Sequence, residues 1–242
     1  MVNRNYIRII YQEMKKLVMM TVVLVSSFGA YAQYRVNAGA SAGPGANMFT
    51  LGAEREFNVF SDKFHINPGV RLSVYNGNDL EYITAPAEYT SNDDQIDTLN
   101  FGTVQNNFTN LYVRLGYDIT EKFSISFDID VAGVSFGSEQ NYSDFRQGAA
   151  LRAQPQTDLG YSENGSPTTF NLLLVGDNDI GSLNSTLNIS YDVTKRLGID
   201  LGVGLIFTEY TILTGRGYDG NDRFRNKNMM GYLGVSYLFG GK

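Results

Sequence analysis

From Leu197 to Phe207 every second residue is apolar: Leu197, Ile199, Leu201, Val203, Leu205 and Phe207 share one face, while Gly198, Asp200, Gly202 and Gly204 share the other. Strict alternation is the signature of a β-strand with two unlike faces. It recurs over 109–119 (Leu111, Val113, Leu115, Tyr117, Ile119), 123–131 (Phe123, Ile125, Phe127, Ile129, Val131) and 183–193 (Leu183, Leu187, Ile189, Tyr191, Val193). The last stretch gives Leu233, Val235, Tyr237 and Phe239. Weaker alternation covers about 34–42, 48–58 and 64–75. The pattern predicts an all-β chain of eight strands.

Connection lengths alternate as well. Ser61-Asp62-Lys63, Thr120-Glu121-Lys122 and Thr194-Lys195-Arg196 read as tight turns. Segments 77–106, 137–182 and 212–226 read as long polar loops, and only Gly43-Pro44-Gly45 is short on that side. An even strand count with alternating turns and loops predicts an antiparallel up-and-down arrangement.

The N-terminus carries Lys15-Lys16, an apolar run from Leu17 to Phe28 and Ala30-Tyr31-Ala32. These are the parts of a Sec signal peptide, in order, with cleavage expected near Ala32/Gln33. Residues 1–32 are thus expected to be an N-terminal extension plus signal peptide, and 33–242 the folded part. The apolar run is shorter than the roughly 20 residues a spanning helix needs. A net charge of -6 opposes a nucleic-acid partner, and the absence of cysteine removes disulfides and thiolate chemistry.

Alternation alone suits a soluble sandwich as well as a membrane barrel. Three features favour the membrane. After residue 32 the only lysines are Lys63, Lys122, Lys195, Lys227 and Lys242, all read as lying in turns, a loop or the terminus. The polar faces instead carry Gly, Ser, Asn and a few acids and arginines, which suits a crowded enclosed lumen. Tyr34, Phe57, Tyr117, Phe123, Tyr191, Tyr237 and Phe239 fall at the turn end on the apolar face, as in an interfacial aromatic girdle. Short turns inside and long loops outside complete the pattern, because lipid leaves no partner for free backbone groups and spanning strands must close on themselves.

The signal peptide, the eight strands and the closing strand Gly231-Tyr232-Leu233-Gly234-Val235-Ser236-Tyr237-Leu238-Phe239 resemble the OmpA/OmpX-type small outer-membrane β-barrel superfamily, with a Bacteroidota-like composition. The resemblance implies an eight-stranded transmembrane β-barrel in the bacterial outer membrane, with long extracellular loops. It also implies contact with outer-membrane lipid and lipopolysaccharide, and with the barrel-assembly machinery through the terminal aromatic Phe239. Gly240-Gly241-Lys242 after that aromatic depart from the usual ending.

Eight charges are expected inside: Arg35, Glu54, Glu56, Arg71, Arg114, Asp128, Asp130 and Asp200. Isolated buried charges are costly, so they are expected to pair into a network that plugs the lumen. Some barrels of the resembling superfamily modify lipid A with a histidine. His65, the sole histidine, lies just after a tight turn, at the wrong end for that chemistry. Neither a metal site nor a cofactor is expected. The acids of 77–106 (Asp79, Glu81, Glu88, Asp93, Asp94, Asp97) match no Ca²⁺-loop spacing, and Asp97-Thr98-Leu99 resembles a Bacteroidota O-glycosylation site. Segment 137–182, with Tyr142, Phe145, Tyr161, Phe170 and the run Leu172-Leu173-Leu174-Val175, is the candidate contact for a protein or glycan partner. The expectation is a non-enzymatic barrel that is structural or partner-binding. The alternatives are a narrow passive channel and an accessory subunit of a secretion or assembly complex.

Overall fold

A computed structural model describes residues 33–242 except 60, 147, 149–163, 175–177, 213–220 and 241–242. The expected signal peptide, Tyr161 and Val175 lie outside the described residues. Eleven strands run in order: β1 (Tyr34–Gly43), β2 (Ala46–Arg55), β3 (Phe64–Thr84), β4 (Thr98–Asp118), β5 (Phe123–Phe136), β6 (Gln140–Arg146), β7 (Asn164–Pro167), β8 (Phe170–Leu172), β9 (Leu183–Asp192), β10 (Leu197–Ile212) and β11 (Arg223–Phe239). Between β3 and β4 lie two short helical turns, Ala87–Thr90 and Asp93–Gln95. No helix among the described residues is long and apolar enough to cross a membrane.

Antiparallel pairing closes a ring through β1, β2, β3, β4, β5, β9, β10 and β11, with β11 returning to β1 from Tyr34↔Phe239 to Ala42↔Gly231. The ring thus has the eight strands that the alternation predicts. Their lengths differ from the expectation. β3 and β4 extend well into 77–106, so that only residues 85–97 connect them. β10 and β11 likewise take up both ends of 212–226.

Above the short β1–β2 hairpin, a second ring closes. There β11 pairs with β3 (Phe224↔Thr84, Arg225↔Ile83), and β4 leaves β5 for β6 (Phe101↔Tyr142, Leu99↔Phe145). β6 pairs with β7 and β7 with β10, which brings the circuit back to β11. The segments expected to be long polar loops therefore build an upper ring of six strands on the lower ring of eight.

The polarity of the wall inverts between the two rings. On lower β3, Arg71 and Ser73 are buried and Val70 and Leu72 exposed; on upper β3, Leu80 and Tyr82 are buried and Glu81 exposed. The alternation slips where this happens. Asn78 and Asp79 are both exposed, as are Gly102 and Thr103 opposite them, while the β3–β4 register is unchanged. Asp79 takes φ 52, in the left-handed region that favours short polar side chains. The paired slip turns both strands by one residue, which swaps the faces of everything beyond it.

Candidate functional site

The interior of the lower ring is the candidate site, and its charges come from alternate residues that the pleat turns inward. Arg114 on β4 faces Asp128 on β5 in register and donates from Nε to Oδ1 at 2.7 Å and from Nη2 to Oδ2 at 2.9 Å. Its Nη1 reaches Glu54 Oε1 at 3.3 Å. Glu54 also accepts from the Tyr112 hydroxyl at 2.6 Å and from the Asn67 amide at 3.2 Å. Arg71 is ion-paired to Asp130, lies 3.8 Å from Asp128, donates to the Asn184 carbonyl at 2.9 Å and stacks over the Tyr112 ring. Arg35 extends the chain towards the turns, 3.0 Å from Glu56 and 3.7 Å from Glu54.

Seven of the eight expected charges thus form one connected chain: Arg35, Glu54, Glu56, Arg71, Arg114, Asp128 and Asp130. Asp200 stands apart, its carboxylate accepting from the Ser190 hydroxyl at 2.5 Å. Arg114 is 4% exposed and Asp128 3%, whereas Leu201 is 65% exposed. Neutral amides fill the remaining bonding positions. Asn110 donates to Asp130 at 2.8 Å, and the backbone N–H of Asn184 donates to the same carboxylate at 2.9 Å. Charge pairs so buried need such additional partners to offset their lost hydration.

Below this network, at the turn end, a polar cavity of about 160 Å³ is lined by Arg35, Glu56, His65, Asn67, Asp118 and Ser126, among others. His65 Nε2 lies 3.5 Å from Asp118, and the imidazole rests on Gly116 across the β3–β4 pair. Among the described residues no group of three or more His, Cys, Asp or Glu is arranged to hold a metal ion.

Above the network the interior becomes apolar, contrary to a polar core throughout. Tyr82, Leu99, Phe101, Tyr142, Tyr210, Ile212 and Phe224 belong to one buried apolar cluster inside the upper ring. Tyr82 meets Phe101 and Tyr210 edge-on, with centroids 5.1 and 5.5 Å away, and its hydroxyl bonds the Thr208 hydroxyl at 2.7 Å. A second ion cluster, Glu209 with Arg223 and Arg225, also lies at this end. Sequence reasoning missed both, because their strands read as loops. The alternation of Leu80, Tyr82 and Thr84 was the available signal, displaced by one residue from that of Arg71, Ser73 and Tyr75.

Tyr34, Phe57, Tyr117, Phe123, Tyr191, Tyr237 and Phe239 all face outwards and are exposed. Phe123 and Tyr191 are in ring contact, as are Tyr237 and Phe239. Aromatics are not confined to this end, however. Phe49, Phe136 and Phe170 are exposed at the opposite end of the apolar wall. Lys227, read as a loop residue, lies on β11 with its ammonium 5.3 Å from the Phe207 ring centroid. Asp97 and Leu99 of the glycosylation-like triplet are fully buried, with Thr98 paired between strands, so the triplet is not displayed on a loop.

No family model matches the chain, and no curated protein matches it. Solved structures give distant likenesses. A major outer membrane protein from Thermus thermophilus is 12% identical, with a TM-score of 0.41 over 87% of this chain and 100% of that one. The outer membrane protein Ail of Yersinia pestis, in a phospholipid bilayer nanodisc, is 11% identical, with a TM-score of 0.38 over 86% and 99%. The N-terminal β-barrel domain of Pseudomonas aeruginosa OprF is 12% identical, with a TM-score of 0.34 over 86% and 97%. Likeness at this level says nothing about ligand or activity.

Proposed function

We propose that the chain is a Sec-exported bacterial outer-membrane β-barrel, non-enzymatic and non-conducting, that anchors a projecting upper ring as a structural or partner-binding surface. The observation that carries this is the inversion of polarity along single strands. A wall with charges inside and leucines outside needs an apolar surrounding; a wall with aromatics inside and Glu, Asn and Gln outside needs water. β3 and β4 have the first character below and the second above, so one molecule meets two solvents. The outward apolar series runs from Phe64 to Val74 on β3 and from Phe239 back to Met229 on β11, ten steps each. At about 3.3 Å per residue and a tilt of about 40°, that is roughly 25 Å, the height of a barrel's lipid-facing band.

Two plugs support a sealed lumen over a channel: the ion network below and the aromatic cluster above. His65, paired with Asp118 and packed on Gly116 at the turn end, is far from the projecting ring, which supports a non-enzymatic reading. The exposed face of that ring, including Glu81, with Gln105 and Lys227 on the rim just beneath it, is the surface a partner would meet. Cell fractionation with heat-modifiable gel mobility tests the location. Planar-bilayer recording of the refolded chain tests the sealed lumen, with no discrete openings expected; openings that change with Arg71 or Asp128 substitutions would establish the channel instead. Deleting 137–182 is not a usable partner test, because it removes β6, β7 and β8 and with them the upper ring. Co-purification from gently solubilised membranes keeps the ring intact.

A further inference from the structure

Residues 168–174 do not behave as a loop extending into solvent. β8 pairs antiparallel with the upper half of β5, Val134↔Phe170 and Ala132↔Leu172, and Leu173 N–H continues the ladder to the Val131 carbonyl at 2.8 Å. Since β5 rises from the turn end, β8 descends towards the apolar wall. On the other edge of β8, Leu172 and Ile180 exchange two backbone hydrogen bonds, 2.8 and 3.0 Å. Asp179 accepts from the Leu174 N–H at 2.7 Å.

The two faces of this descending strand differ sharply. Its inward side is tied to the interior: Asn171 accepts from the Ser135 hydroxyl at 2.9 Å and from the Ser182 N–H at 2.8 Å, and donates to Asn110 at 2.8 Å. Its outward side is Phe170, Leu172 and Leu174, exposed by 69%, 40% and 41%. These continue the exposed row Val131, Val134 and Phe136 of β5 without a polar break. The order along the descent is also informative. The aromatic residue stands at the rim, level with the end of β5, and the aliphatic residues follow below it. That is the order of an interface followed by hydrocarbon.

We infer that β8, continued by Leu173 and Leu174, is an outer-leaflet anchor, its Phe170, Leu172 and Leu174 side chains lying among lipid acyl chains and not against a protein or glycan. The inference rests on the membrane reading above and adds to it, since sequence alone puts this segment in an extracellular partner-binding loop. β8 widens the lipid-facing wall where β5 has outrun its lower partner β9, whose pairing stops at Ile129↔Ser185. Without it, the upper β5 edge would meet lipid with free backbone groups, which a bilayer does not tolerate.

The chain has no cysteine, so single nitroxide labels can be placed cleanly. Labels at Phe170→Cys, Leu172→Cys and Leu174→Cys are read in phospholipid nanodiscs by their accessibility to oxygen and to a water-soluble nickel chelate. Leu201→Cys is the lipid reference and Gln105→Cys the aqueous reference, with heat-modifiable mobility confirming the fold of each variant. The expected result is oxygen accessibility at all three positions several-fold above that at Gln105, and chelate accessibility as low as at Leu201. Chelate accessibility like that of Gln105, with Leu201 still in lipid, overturns the anchor and leaves the barrel reading intact. Protection from both reagents indicates a protein contact and likewise overturns it. Chelate access at Leu201 itself removes the membrane reading and the anchor together.

Discussion

Arg114 and Asp128 face each other across β4 and β5 in a two-pronged contact, 2.7 and 2.9 Å, inside a ring whose outer surface at the same height is Leu115 and Phe127. Arg114→Met removes the two-pronged partner of Asp128 and the nearer cation of Glu54, leaving them only Arg71 at 3.8 Å and Arg35 at 3.7 Å. The expected loss is about 3–5 kcal/mol, since removing one member of a buried pair leaves an uncompensated charge. Arg114→Met with Asp128→Leu should cost less than the sum of the two single changes. The chain has no tryptophan, so urea unfolding in vesicles is followed by gel mobility or tyrosine emission.

A methyl group at position 116 would lie 1.9 Å from His65 Cε1. Gly116→Ala should therefore displace the imidazole and its contact with Asp118, at about 1–3 kcal/mol for overpacking. His65→Ala in the same chain should recover most of that loss. Absence of recovery would place the strain in the backbone and not in the ring contact.

Leu201→Arg introduces a charge into the middle of the outward apolar wall. A cost of about 2–4 kcal/mol is expected in a bilayer, against under about 0.5 kcal/mol for Gln105→Arg just above the outward apolar series. Vesicle unfolding measures both. Equal, small effects at the two positions would contradict a lipid surrounding.

Tyr82 and Phe101 hold the upper ring together in edge-on contact. Phe101→Ala is expected to destabilise that ring by about 3–5 kcal/mol, the usual cost of a large buried aromatic. Limited proteolysis should then cut at the loop end, while the lower ring keeps its heat-modifiable mobility. Cooperative loss of both would show that the two rings unfold as one unit.

Burial pushes the Tyr82 hydroxyl well above the ordinary tyrosine value of 10.0, and burial raises Tyr210 too. A group whose pKa is higher folded than unfolded stabilises fully below the unfolded value and loses that contribution as pH rises through the folded one. The upper ring should therefore hold its protease resistance up to about pH 10 and weaken above it. Tyr82→Phe should flatten that decline while losing the Thr208 hydrogen bond. A decline unchanged by Tyr82→Phe would assign it to other groups.

The lower ring was legible because its information is local. Leu197 to Phe207 carries its own period, and the inward Arg35, Arg71, Arg114, Asp128 and Asp130 follow from it by parity. The upper ring was not legible, although Leu80, Tyr82, Leu99 and Phe101 are as apolar as anything below. Their alternation is offset by the slip at Asp79 and Gly102, and their outward neighbours Glu81 and Asn100 make the segments read as polar loops.

By itself the sequence determined the eight strands of the lower ring, which face of each is apolar and which charges share the other, because side-chain parity is a property of neighbouring residues. Only the tertiary structure decided that β4 exchanges β5 for β6, that β3 meets β11 above a short hairpin, and that the wall reverses its polarity there. Those outcomes depend on which strand edges remain free once the lower ring has closed, and edge availability is set by the whole circuit of pairings and not by any stretch of chain.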